Sequence, residues 1–495
     1  MGLAVDRVEY TPEEFPPYSD RLYECLDALA TAIRDPAFGR GARKIGAELE
    51  LCIVDAAGQP LPENRAILDQ AARLYPTDNP YTVELNRHNL EINAEPQLAA
   101  DMGFWQLEQQ LSQHWQRLEA IAESQGGGLV AIGILPTLTE ANLLESGMTA
   151  MARYQALSHA LRAWRGEDFR LCIEGSERLD TQCSHVAPEG ANTSFQFHLM
   201  VAPEAFADTF NAVQLTTPLV LAVAANSPCF LERLLWDETR IALFKQSIDC
   251  RNPARRAWHE PARVAFGHGW VRTDAWELFA EAVALYPPLF PVLSPRSPLD
   301  PVAGQQWPAL PELALHMGTT WHWNRPVYEA GDGGSVRIEM RALPAGPSVL
   351  DMMANAALAT GLAEGLKTRV APLLASLPFR FAEQNLYRAA RQGLDAELIW
   401  PDPASHRLGC RRAGDILTSL LPLAEQGLLN LGMEASLVQR YLSVISERLE
   451  RNITGARWQR QQLTDCGGQS RRQALAAMLS RYRQHQATGA PVHAW

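Results

Sequence analysis

The chain has no apolar run long enough to cross a bilayer, no closely spaced cysteine pair, no surplus of basic charge and no internal repeat. Its longest uncharged stretch, Thr209 to Leu231, contains Asn211, Gln214, Asn226 and two prolines, so a buried helix running into a loop is expected there instead of a membrane span. The eight cysteines (Cys25, Cys52, Cys172, Cys183, Cys229, Cys250, Cys410 and Cys466) are scattered, without a CxxC pair or zinc-ligand spacing. Several lie inside apolar stretches, as buried free thiols do, and a reducing cytoplasm is the simplest setting. The opening "MGLAVDRVEYTPEEF" carries acidic residues where a signal peptide needs an apolar segment, so export is not expected. A formal net charge of -12 argues against a nucleic-acid binder, whose affinity rests on clustered Lys and Arg. An HExxH-like pair is also missing, which disfavours a metal-dependent hydrolase.

What is present is a chain of 495 residues, 47% of them apolar, enough for one large core or two to three smaller ones. Apolar residues recurring at three and four predict helices near 19–37, 103–125, 151–164, 204–226, 272–285 and 348–372. Alternating segments predict half-buried strands at 44–54, 81–95, 128–134, 193–201 and 335–342. Helices and strands do not alternate regularly, which favours an α+β fold on an antiparallel sheet over a doubly wound parallel one. After about residue 375 the strand signals stop, Pro372, Pro378, Pro401 and Pro403 punctuate the change, and amphipathic helices follow. The expected division is 1–375 for a catalytic domain and 376–495 for a helical portion packed on it or completing it.

Four of these strands share one division of labour. In "KIGAELELCIVD" the residues Ile45, Ala47, Leu49, Leu51 and Ile53 face one way, and Glu48 and Glu50 the other. "YTVELN" and "HNLEINAEP" offer Glu84 and Glu91, "NTSFQFHLMV" offers Gln196 and His198, and "SVRIEMRAL" offers Arg337, Glu339 and Arg341. A solvated outer sheet face produces the same alternation, but it would be expected to carry Lys, Thr and Ser, whereas these faces carry Glu, Gln, His and Arg. Gathered on one concave surface, Glu48, Glu50, Glu84, Glu91 and Glu339 with His198 make a hard-cation site of the kind Mg²⁺ or Mn²⁺ prefers. The flanking arginines suit phosphate and carboxylate groups.

These residues resemble the glutamate–cysteine ligases, carboxylate–amine ligases with a glutamine synthetase/guanido kinase-like catalytic sheet. The ordered match runs through Gly46-x-Glu48-x-Glu50, Glu84 and Glu91, "GILPT", Arg153-Tyr154, "NTSFQFHL", "ANSP" (225–228), Arg240, "NRP" (324–326), Glu339-x-Arg341 and "NLYRAARQGLDAEL". The resemblance implies ATP as co-substrate, Mg²⁺ or Mn²⁺ as cofactor, and a γ-glutamyl phosphate from which cysteine displaces phosphate, serving glutathione biosynthesis. It implies metal ligation by Glu48, Glu50, Glu84, Glu91, Glu339 and His198, catalytic roles for Arg341, Glu339 and Arg240, and nucleotide or substrate contacts from Gln196, His198 and Arg325. Many relatives carry His-x-His where this chain has Gln196-x-His198. The partners implied are small molecules (ATP, glutamate, and cysteine or another amine), with no nucleic acid or membrane, and homo-oligomerisation stays open. Ligation of another amino acid or amine, and a non-catalytic homologue that binds ATP or amino acids, are the alternatives.

Other tempting residues have plainer readings. Gly126 to Gly128 fit a helix end and turn better than a phosphate loop, and "GDGGS" (331–335) fits a hairpin loop with room for a mobile flap. His316 and His322 are expected to be buried or stacking, Cys229 a packed thiol, and Arg471 with Arg472 a solvated end.

Overall fold

Strict alternation in Lys44–Asp55 makes this segment, β1, the centre of an eight-stranded sheet. The other strands are β2 (Tyr81–Val83), β3 (Asn89–Asn93), β4 (Gln97–Leu98), β5 (Gly127–Val130), β6 (Phe195–Val201), β7 (Asn324–Glu329) and β8 (Ser335–Met340). The computed structural model describes residues 3–300, 306–402, 405, 407–464 and 470–495, so the expectations for Cys466 and Pro403 lie outside the described residues. Strand order is β7-β8-β6-β1-β3-β2, every pairing is antiparallel, and β4 and β5 pair with the two ends of β1.

The apolar face of β1 is completely covered: Ile45, Ala47, Leu49, Leu51 and Ile53 are all buried. Over this face and around it lie α1 (Phe15–Arg34), α2 (Gly103–Ser124), α3 (Phe206–Ala224), α4 (Val349–Leu366), α5 (Ala413–Leu431) and α6 (Ala435–Glu450), while α7 (Arg471–Ala487) packs with Cys52 and Val54 in a smaller second cluster. The α4 and α5 backbones touch, because Gly361, Gly365 and Gly427 face one another. A Cβ on Gly427 would stand 2.1 Å from the Gly361 carbonyl oxygen. A buried ion pair, Arg448 to Asp351, joins α6 to the first turn of α4, and Asp351 also accepts from the backbone N–H of Val492 at 3.0 Å. No helix among the described residues is long and apolar enough to cross a membrane.

The expected α+β architecture with helices on one sheet face is what the chain adopts, and the uncharged stretch after Thr209 is indeed a buried helix, α3, running into a loop. Three expectations need correction. The strand expected over 81–95 is two strands, because residues 84–88 turn between them. Strand β7 was not foreseen: Pro326 interrupts its alternation, and Pro is accepted because β7 is the sheet's edge. Strands also do not stop at 375, since Glu397–Pro401 and Leu408–Arg412 form a hairpin.

Candidate active site

Register decides which polar residues meet. Glu48 stands opposite Asn93 on β3 and Gln196 on β6, Glu50 opposite Glu91, His198 opposite Glu339, and Glu339 opposite Arg325. Because side chains alternate strictly, these residues project from the face opposite the helices. They form two groups of three, in each of which one donor atom per residue lies within 4.8 Å of the others: Glu48, His198 and Glu339, and beside them Glu50, Glu84 and Glu91.

A hydrogen-bonded chain crosses between the groups. Arg325 Nε donates to Glu339 Oε2 at 2.5 Å, and Arg341 Nη1 donates both to Glu339 and to the Gln196 carbonyl. Gln196 Nε2 donates to Glu50 Oε1 at 2.9 Å, and Glu50 also accepts from Ser194 N–H at 2.7 Å and Ser194 Oγ at 2.8 Å. On the other side, Arg337 Nε donates to His198 Nδ1 at 3.3 Å, leaving His198 Nε2 to donate to Glu48 at 3.1 Å.

The two groups differ in charge balance. Burial alone would raise the Glu339 pKa, but Arg325 and Arg341 override it and hold the carboxyl far below its ordinary range. Glu48 follows the same pattern: burial raises, and the His198 hydrogen bond brings it below the usual value. In the second group burial and mutual repulsion act together. Glu91 is pushed up to about 8 by burial, then by Glu48 and Glu50, and Glu84 is driven well above its ordinary value by burial, then by Glu91 and Glu50. Glu50 is raised by burial against the pull of Ser194 and Arg341. Three crowded carboxylates, with no cationic side chain among the described residues at hydrogen-bonding distance, form a donor set that a hard divalent ion fits. The first group, with one imidazole, would suit Mg²⁺ or Mn²⁺ with the ring proton on Nδ1 and the Arg337 contact released, so that His198 Nε2 is free to ligate.

Each residue singled out from sequence has a definite place. Arg240 lies beneath this face, fully buried, with Nε on Glu238 at 2.7 Å and Nη2 on the Ala342 carbonyl at 2.6 Å, within electrostatic range of Glu50. The "ANSP" asparagine does not line the site. Asn226 donates to Ala345 O and Tyr482 Oη and accepts from Gln459, so it locks the segment behind β8 to the C-terminal helices. His316, His322 and Cys229 are buried, and burial pushes the Cys229 thiol up to about 12. Gly126 takes φ +79 at the turn into β5, and the Gly331–Gly334 loop closes the β7–β8 hairpin. Arg471 and Arg472 are not simply solvated: they open α7 and pair with Glu177 at 3.0 Å and Glu232 at 2.6 Å.

Sequence reading passed over one neighbour and one contact. Glu189, in a single 3-10 turn, has its carboxyl pushed up to about 8 by burial and then by Glu50, and no periodicity marks it. Arg337 was expected among the flanking arginines suited to phosphate and carboxylate, and its contact with His198 is the part that sequence did not reveal. A cavity of about 640 Å³ opens beside the first group, bounded by Lys44, Glu48, His198, Arg337 and the hairpin loop at Asp332.

The profile of glutamate-cysteine ligase family 2 (GCS2) matches residues 44–479. No curated protein matches the chain by sequence. Among solved structures, the glutamate–cysteine ligase from Francisella tularensis in complex with AMP superposes with a TM-score of 0.55 at 12% identity, covering 90% of this chain and 89% of that one. A bifunctional glutathione synthetase from Pasteurella multocida superposes with a TM-score of 0.45 at 11% identity, over 96% of this chain and 55% of that one.

Proposed function

The chain belongs to glutamate-cysteine ligase family 2 and is a carboxylate–amine ligase, and from that premise we propose that it joins the γ-carboxylate of glutamate to the amine of cysteine at the expense of ATP. The observation that carries this reading is the pair of acidic groups side by side on one sheet face, with Arg341 bonded into both through Glu339 and Gln196. A carboxylate is a poor acyl donor because its leaving group would be oxide, and phosphorylation repairs this. In the first step a carboxylate oxygen attacks the γ-phosphorus and ADP departs. In the second, the amine attacks the acyl carbon, phosphate departs and the nitrogen loses a proton.

The chain's own residues serve these steps by position and charge. Arg341, braced by Glu339, is aimed from the sheet so that its remaining donors meet the transferred phosphoryl group, where negative charge is shared in flight. Arg325, on the edge hairpin, holds Glu339 from the opposite side. Glu50, Glu84 and Glu91 would hold one divalent ion and Glu48, Glu339 and His198 another; bound there, such ions screen phosphate charge and align the two anions. The cavity beside His198, with Lys44 and Arg337 on its wall, is the proposed place of the nucleotide.

We also read residues 376–495 as completing the catalytic unit, since α5 and α6 pack on α4. A cytoplasmic setting accords with the seven described cysteines all being free. The test is phosphate release with ATP, Mg²⁺, glutamate and a panel of amines, alongside trapping of the acyl phosphate by hydroxylamine. Hydroxamate formed from glutamate, with cysteine the fastest acceptor, supports the reading. Hydroxamate with indifference to cysteine would move the assignment to another amine, and ATP binding without any hydroxamate would overturn the catalytic reading.

A further inference from the structure

Asn324 and Arg325 are neighbours on the edge strand β7, so their side chains leave it on opposite faces. Arg325 reaches Glu339 among the acidic groups, and Asn324 is buried on the helix side. There Asn324 Nδ2 donates to Gln214 Oε1 at 2.6 Å and to Thr217 Oγ1 at 2.9 Å, two residues on the buried helix α3. Gln214 Nε2 in turn donates to the Phe266 carbonyl at 2.6 Å, and a Cβ on the next residue, Gly267, would stand 3.1 Å from that nitrogen. The direction of the chain is fixed by its far end. A carbonyl only accepts, so Gln214 turns its Nε2 to Phe266 and its Oε1 to Asn324. Asn324 Oδ1 is left buried and without a hydrogen-bond partner among the described residues.

Packing alone does not call for this arrangement. Leucine would fill the space with no orphaned oxygen, whereas a buried amide with an unpaired acceptor carries a desolvation penalty. What the amide supplies and leucine does not is direction. Among the described residues β7 pairs on one side only, with β8, and Pro326 has no N–H to give. The distance of β7 from the helix layer is therefore set by side chains beneath it, and Asn324 is bonded directly to that layer. The residues on either side of Asn324 hold the site. The Trp323 carbonyl accepts from the backbone N–H of Arg341 at 2.8 Å, and Arg325 bonds Glu339, the carboxylate it shares with Arg341.

We propose that Asn324 is a positioning residue for the ligase reaction: bonded to Gln214 and Thr217, it sets the depth at which Trp323 and Arg325 hold Arg341 and Glu339 at the sheet face. The assignment rests on the reading of that face as the place of the chemistry, and adds that its geometry is set from the opposite side of the sheet. Asn324 touches no reactant and acts through Arg325 and Arg341.

Steady-state phosphate release with ATP, Mg²⁺, glutamate and cysteine tests this in the full chain, in Asn324→Leu, in Arg325→Gln and in the double variant. Asn324→Leu is expected to lower kcat about tenfold while KM for each substrate stays within about twofold, because groups that meet the transition state shift and ground-state binding does not. In the Arg325→Gln background the same change is expected to cost less than about threefold, since the two residues act as a unit. Thr217→Val breaks the same anchor more mildly and serves where Asn324→Leu folds poorly; kcat is expected to fall about threefold, again with little change in KM. A further measurement needs no substrate: deuterium exchange of the peptide carrying the Arg341 amide is expected to be about tenfold faster in Asn324→Leu, with exchange of β1 unchanged. An unaltered kcat in both anchor variants, or the same loss of kcat with and without Arg325, overturns the proposal. If the parent chain releases no phosphate with these substrates, the substrate reading fails by itself and the Arg341 amide decides: faster exchange supports the anchor, and an unchanged rate overturns it.

Discussion

Glu339 is buried between two guanidinium groups, with Arg325 on one carboxylate oxygen and Arg341 on the other. Glu339→Gln keeps the size and removes the charge, so turnover is expected to fall by about 100-fold or more, read by steady-state phosphate release. The same change leaves two arginines facing a neutral amide, and a loss of about 3 kcal/mol in folding stability accompanies it. Glu48→Gln is the cleaner variant, because its side chain is 29% exposed and its carboxylate accepts from His198 and not from the arginines that hold Glu339. It is expected to lose activity to a similar degree with an unchanged urea midpoint. Arg341→Lys tests geometry instead of charge: one ammonium cannot hold Glu339 and Gln196 while reaching outward, and kcat is expected to drop by about tenfold or more with KM for glutamate little changed. Near-normal turnover in Glu339→Gln would remove the basis for placing chemistry on this face.

At the level of elements, the seam between α4 and α5 depends on three glycines that let the backbones touch. Gly427→Ala would force a methyl group into the Gly361 carbonyl, and a loss of about 2–3 kcal/mol is expected, seen as a lower urea midpoint at unchanged slope. The same scale shows why sequence was informative in one place and silent in another. The polar faces of β1, β6 and β8 were legible because a strict period of two leaves only one way for Glu48, Gln196 and Glu339 to point. Glu84 was legible as a carboxylate but not as part of a turn, since Tyr81–Leu85 and Leu90–Ala94 each alternate, and only the shift of phase across the polar Asn86–Asn89 marks the break. Glu189 left no trace in local pattern, because it meets Glu50 only through segments far apart in the chain. The pairing of Glu397–Pro401 with Leu408–Arg412 was hidden for a different reason: its exposed, polar second strand has no apolar face to announce it.

For the molecule as a whole, acid works in two opposed directions: the carboxyls of Glu91 and Glu189, both pushed up to about 8, contribute more stability as pH falls, and two buried histidines contribute less. Burial pushes the pKa of both His88 and His316 down to about 4, so the native state keeps them neutral where the unfolded chain does not. The stability they allow is complete above the unfolded value near 6.5 and is lost as pH falls from there toward 4, by about 3 kcal/mol per residue at most. The difference in stability between the parent chain and His88→Leu, read from paired urea melts between pH 7 and pH 4, is expected to show the His88 part of this slope, the carboxyl contribution being common to both. One feature of the sheet ties the site to this global behaviour. Strand β1 is bonded along both edges by β3, β4, β5 and β6, so its amides should be among the last in the protein to exchange with deuterium. Glu48 and Glu50 are therefore expected to ride on slow-opening backbone, and loss of catalytic competence should coincide with cooperative unfolding instead of preceding it.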